Sequence, residues 1–154
     1  MTPPGLGIVA AVIILDQLAK LAAESWLAMG EVTDILPILA LYRTYNTGIA
    51  FSMFAGLGAA GLIVGTLAIT LLVLVFWARS RDGGTAAAVG FALILGGALG
   101  NLIDRLVHGH VIDFLLLHFG SRTLFVFNLA DVALTFGPVI LIAAYMWPAR
   151  RPAG

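Results

Sequence analysis

Asp113 in "GHVIDF" and Asp131 in "FNLAD" are the residues whose chemistry most needs explaining. Each borders an apolar run long enough to enter lipid, where an ionisable side chain costs at least about 2.5 kcal/mol on insertion scales. The runs predict that Asp113 follows the end of one membrane helix and that Asp131 begins the next. In antiparallel neighbours those ends lie at one level, so the two carboxylates can meet. Two carboxylates sharing a site do not both ionise readily, and the pair holds one proton over a useful pH range. Such a pair can activate water: the charged partner draws a proton from it while the protonated partner polarises a carbonyl. Membrane carboxylates serve proton-coupled transport equally well. Residue types alone therefore leave two alternatives, a hydrolase and a small proton-coupled membrane transporter. They also leave open which aspartate carries the proton.

Other polar residues lie close in sequence. In "GNLIDRL", Asn101 and Arg105 share a helix face and Asp104 lies one turn after Asn101. Arg105 is permanently charged, able to pair with Asp104 or to hold a carboxylate or carbonyl. Asp16 and Lys20, four apart in "DQLAK", predict an ion pair on one face of the first helix. A structural role is favoured there, with Asp16 also placed to hold a substrate backbone or brace a loop. His108, His110 and His118 flank Asp113, and His and Asp are legitimate zinc ligands. Their spacing matches no H-E-x-x-H helix, so no metal is expected. There is no cysteine, hence no disulfide, thiolate nucleophile or cysteine-based metal site. No Gly-x-Ser-x-Gly motif is present, and Ser52 and Ser121 have no evident base partner.

The elements that must position these groups are membrane helices. The chain has 154 residues, 61% hydrophobic and 10% charged, against roughly 25% charged in a soluble domain. Lysines and arginines equal aspartates and glutamates in number, so no basic surplus exists to attract nucleic acid. Four segments approach or exceed the roughly 20 apolar residues that cross a bilayer, near 5–28, 56–78, 86–103 and 130–147. A single bundle covering 1–154 is expected, with loops 29–55 and 104–129 on one side of the membrane. The first span lacks a basic leader and carries Asp16 and Lys20 inside its apolar stretch, so it reads as retained. Arg79, Arg81, Arg150 and Arg151 flank the other side, which the positive-inside rule makes cytoplasmic, with both termini there.

The first outward loop is too apolar for a solvated tether. "DILPILALYRTYN" predicts short strands at the interface. "NTGIAFSMFAG" sets Phe51 and Phe54 three apart, as on a short interfacial helix that covers a site or anchors the bundle. Gly96 and Gly100 in "GGALG", and Gly61 and Gly65 in the second span, have the small-residue spacing that lets membrane helices approach closely.

Five blocks, "DQLAK" at 16–20, "YNTGIAF" at 45–51, "GGALGNLIDRL" at 96–106, "GHVIDF" at 109–114 and "FNLAD" at 127–131, lie in an order that resembles lipoprotein signal peptidase, the bacterial signal peptidase II family. The resemblance covers nearly the whole chain. It implies an aspartic endopeptidase, independent of metal and cofactor, that removes the signal peptide of diacylglyceryl-modified prolipoproteins just before the lipidated cysteine. By motif, Asp113 and Asp131 are its catalytic pair. Asn46 and Gly48 of "NTG", Asn101, Asp104 and Arg105 of "GNLIDR", and Asn128 of "FNLAD" are supporting or substrate-holding positions, as are Asp16 and Lys20 of "DQLAK". The implied architecture is a helical membrane bundle with a small extracytoplasmic sheet and a mobile helix over the site. The implied setting is the inner membrane, and the implied inhibitor is globomycin. Ile49 stands where the family usually has alanine, and Val132 where a small hydroxyl residue is frequent. Both substitutions bear on substrate and inhibitor fit.

Overall fold

The computed structural model describes residues 3–48, 58–80 and 84–147. Its elements run α1 (Pro3–Trp26), β1 (Val32–Leu36), β2 (Leu39–Asn46), α2 (Gly58–Arg79), α3 (Gly84–His108), β3 (Val111–Phe119), β4 (Arg122–Phe127) and α4 (Leu129–Met146). All four helices are long and apolar enough to cross a membrane. Side chains such as Leu15, Leu18, Leu71, Leu72, Val139 and Ile142 are exposed on their outer faces, as expected where lipid replaces water as solvent. The expected interfacial helix with Phe51 and Phe54 lies outside the described residues, as do Ile49, Arg81, Arg150 and Arg151.

The four helices are not equivalent. α3 is the axis, with most of its length buried, and it packs on α1, α2 and α4. Its small residues explain why. A Cβ added to Gly97 would come within 2.5 Å of the Ala130 carbonyl oxygen on α4, and one added to Gly96 within 2.8 Å of Val12 on α1. Gly90 and Gly137 pack reciprocally, each with the other's carbonyl oxygen at about Cβ distance. Without such residues the backbones would stand further apart, since in lipid association depends on close packing rather than on the hydrophobic effect. Gly65 takes no part, as a Cβ there meets nothing within 4 Å among the described residues. Toward the end distant from the sheet, Val9, Trp77, Ala87, Phe91, Ala92 and Leu95 form the apolar core, with Trp77 and Phe91 stacked at 6.2 Å.

Joined to the bundle is a four-stranded antiparallel sheet in the order β1-β2-β3-β4. β1 and β2 are the strands expected from "DILPILALYRTYN". The second hairpin, β3 and β4, extends the sheet beyond what pattern suggested. Its β3, "VIDFLLLHF", is almost uninterruptedly apolar because its first four residues are buried on both faces, a pattern that does not alternate and so does not announce a strand. The β2–β3 register sets Thr44 opposite Asp113 and Asn46 opposite Val111. Asn46 is thereby delivered to Asp113 from a distant part of the chain.

Candidate active site

Asp113 lies on β3 and Asp131 in the first turn of α4, and the residue that joins them is Asn128. Asn128 caps α4: its side-chain oxygen accepts from the Asp131 backbone N–H at 3.0 Å, and its own backbone N–H donates to Asp131 Oδ2 at 3.2 Å. This reciprocal capping box satisfies two N–H groups that an open helix end would leave unpaired. With its oxygen so occupied, the Asn128 amide nitrogen points the other way and donates to Asp113 Oδ1 at 2.7 Å. One buried side chain therefore touches both carboxylate-bearing residues.

The same logic fixes the other amides. Asn46 Oδ1 accepts from the Gly48 backbone N–H at 2.8 Å, so its nitrogen faces Asp113 Oδ2, at 3.0 Å. Asn101 Oδ1 accepts from the Lys20 ammonium at 3.0 Å, so its nitrogen faces Asp131 Oδ1, at 2.8 Å. A backbone N–H or an ammonium can only donate, which leaves each amide a single sensible orientation. Every oxygen of the two carboxylates thus has a donor. Gly48 holds the Asn46 turn at φ 96°, a conformation suited to glycine, and a Cβ there would also overlap Leu62.

Beneath the pair sits a buried ionic cluster. Lys20 Nζ contacts Asp16 Oδ2 at 2.7 Å, Asp104 Oδ2 at 2.8 Å and Asn101 Oδ1, so its three protons are all placed. Lys20, Asp16 and Asp104 are each no more than 1% exposed, and a charge so buried must be paired and hydrogen-bonded. Asp16 Oδ1 also accepts from the Ala130 N–H at 2.9 Å, and Asp104 Oδ2 from the Ile112 N–H at 3.1 Å. The cluster therefore ties α1 and α3 to the starts of α4 and β3. Asp16 braces the entry to α4 with this contact. Asp104 pairs with Lys20 rather than with Arg105. Arg105 Nη1 reaches the Asn101 carbonyl at 3.4 Å, and among the described residues no carboxylate lies within ion-pair distance of it.

Sequence reasoning passed over Gln17. Its amide nitrogen donates to Asp104 Oδ1 at 2.7 Å and lies 3.3 Å from the Gly100 carbonyl and 3.4 Å from Asp16 Oδ2. The signal was its place beside Asp16, at the margin of the same buried face. The histidines do not converge. His110 lies tilted against Tyr45, ring centroids 4.1 Å apart, with His108 beyond it, while His118 lies 3.2 Å from Asp34 near the outer turns of the sheet. Among the described residues no three His, Asp or Glu side chains are grouped to hold a metal ion.

Burial pushes the Asp113 carboxyl from its ordinary 3.8 up to about 6. The Asn46 hydrogen bond opposes that shift and the nearby Asp131 charge adds to it. Asp113 can thus hold a proton under mildly acidic conditions beside a carboxylate close enough to repel its charge. One buried and one half-buried acid, each oriented by amide donors, have the layout of an acid and a base acting together.

The family model described as signal peptidase (SPase) II matches residues 8–147. The lipoprotein signal peptidase of Mesorhizobium japonicum is 48% identical over 135 residues, covering 88% of this chain and 80% of that one. The lipoprotein signal peptidase of Brucella ovis is 46% identical over 137 residues, covering 89% and 86%. A solved bacterial membrane enzyme superposes with a TM-score of 0.83 at 26% identity, over 95% of this chain and 94% of the other. Together with the ordered motif blocks, these likenesses establish that the chain belongs to the signal peptidase II family.

Proposed function

We propose that Asp113 and Asp131 are the catalytic dyad with which this chain cleaves a peptide bond at the membrane surface. Family membership makes the chain an aspartic peptidase that removes signal peptides from prolipoproteins. The single observation that carries the dyad is Asn128, which caps the helix of Asp131 and donates to Asp113. In the proposed reaction the charged carboxylate takes a proton from water, whose oxygen attacks the scissile carbonyl carbon. The protonated carboxyl gives its proton to the carbonyl oxygen, forming a neutral diol. Collapse reverses both transfers: one hydroxyl proton returns to the second carboxylate, the first protonates the leaving nitrogen, and the C–N bond breaks. The dyad ends as it began.

Asn46, Asn101 and Asn128 orient the two acids, and Asp16, Lys20 and Asp104 hold the helix ends that carry them. Gly48 shapes the turn behind Asn46. Arg105, half-buried and with no short ion pair among the described residues, is assigned to the substrate backbone. The substrate is a prolipoprotein whose diacylglyceryl-modified cysteine follows the scissile bond. Its acyl chains add about 0.8 kcal/mol per buried CH₂, which holds that bond at the depth where helix ends and water meet. The basic residues Arg79, Arg81, Arg150 and Arg151 support a topology with both termini in the cytoplasm and the sheet and dyad on the outer face of the bacterial inner membrane. Globomycin, as a peptide ligand of the family, is assigned to this same site.

Replacing either acid tests the reading. Asp113→Asn and Asp131→Asn should each abolish processing of a lipidated prolipoprotein in proteoliposomes, with protein level unchanged and no rescue by added metal. Full turnover by either variant would overturn it.

A further inference from the structure

The two proposed catalytic acids have unequal surroundings. Asp131 is at the third position of α4, where the helix N-terminus favours negative charge. One of its oxygens accepts a backbone N–H, and the other an Asn101 amide whose oxygen is held by the Lys20 ammonium. That ammonium polarises the amide toward Asp131. Asp113 lies in a strand, at no helix end, and its two donors are neutral side-chain amides that touch no cation. We infer that Lys20 is a positioning residue that acts through Asn101 to keep Asp131 as the charged partner, leaving the dyad's single proton on Asp113.

The inference rests on the dyad reading and deepens it. Asp131 is then the base that takes the proton from water, and Asp113 the acid that protonates the carbonyl oxygen. On collapse Asp131 protonates the leaving nitrogen and Asp113 recovers its proton from the diol. The charged groups around the pair are Asp16 and Lys20 from α1 and Asp104 and Arg105 from α3, while β2 supplies only the neutral Asn46. Of these, only Lys20 is joined to Asp131 by a hydrogen-bonded side chain. Asp16 and Asp104 contact the same ammonium and balance its charge. Gln17, donating to Asp104, helps hold that carboxylate on Lys20.

Two measurements test the inference. The first is the infrared spectrum of enzyme labelled with carboxyl-¹³C aspartate, titrated across mildly acidic pH. A buried protonated carboxyl band should appear in the unmodified enzyme, persist in Asp131→Asn and vanish in Asp113→Asn. The reverse pattern, or no such band in the unmodified enzyme, overturns the inference. The second is the pH profile of kcat/KM in the double variant Lys20→Met with Asp104→Asn, which removes one positive and one negative charge together and leaves an acceptor for the Ile112 N–H. Its acidic limb should move to higher pH by roughly half a unit or more, the alkaline limb by less, with kcat lowered more than KM is raised. A lower rate with neither limb displaced would reduce Lys20 to a structural prop and overturn the inference. The infrared experiment stands even where the double variant does not fold. Turnover retained by Asp113→Asn or Asp131→Asn would instead remove the dyad itself, a separable failure.

Discussion

Asn128 ends the loop before α4, starts that helix and orients Asp113, all with one amide and one backbone N–H. Asn128→Ala should therefore lower apparent stability by about 1 kcal/mol for the lost cap, with a disproportionate fall in kcat. Asn128→Asp keeps a capping oxygen but buries an unpaired charge against Asp113 and Asn101, so it should lose more stability than alanine and lose turnover as well. Thermal midpoints in detergent, compared with rates, separate the two effects. Asp113 itself carries a pH signature. Because its folded pKa is about 6 against an ordinary 3.8, the folded state binds more protons than the unfolded state between those values. The contribution of Asp113 to stability then falls as pH rises through that window. Its part of the slope should be missing from the melting curves of Asp113→Asn between pH 4 and 7, approximate bounds set by those two pKa values; an unchanged slope would refute the sign. The carboxylates were legible in the sequence because an acid next to lipid is costly and so conspicuous. The direction in which each amide faces was not, since it depends on partners far away in the chain.

At the scale of elements, the sheet and α3 divide the work. α3 sets the distance between α1 and α4 through glycines, and any growth there separates Asn101 from Asp131. Gly97→Ala should cost about 1–3 kcal/mol through overpacking against the Ala130 carbonyl and reduce turnover. Gly65→Ala, facing open space, should leave both unchanged or gain slightly in helix propensity. Equal effects of the two substitutions on folded yield would contradict the packing account. The four helices were legible because lipid demands long apolar runs with internally satisfied backbones. The first hairpin announced itself through Pro37 and its β-branched and aromatic residues. The second did not: β3 is buried at its start and reads as a plain apolar run, and Asp104, Arg105 and His108 continue α3 where polarity suggested that a loop begins. Gly61 and Gly65 have the same spacing as Gly96 and Gly100, yet Gly65 packs on nothing among the described residues. Spacing permits close approach; a facing helix is needed to use it.

For the whole molecule, the membrane setting bears on which substrate can reach the site. A bundle whose outer helix faces meet lipid, with a sheet at one end, suits a substrate that arrives from within the bilayer. An otherwise identical peptide lacking its diacylglyceryl group should show a far lower kcat/KM in proteoliposomes, mainly through KM, while EDTA leaves the rate on lipidated substrate unchanged. Equal rates on both peptides would argue against recognition of the acyl chains. The ion pairs and hydrogen bonds beneath the site span most of the chain: Lys20 and Asp16 come from α1, Asp104 from α3, and the Ala130 N–H that donates to Asp16 from α4. No fragment translated before residue 131 contains both acids, and none lacking α1 contains Lys20. A growing polypeptide therefore cannot assemble the proposed dyad until α4 has entered the membrane and packed beside α1 and α3, so insertion order sets when the site first exists.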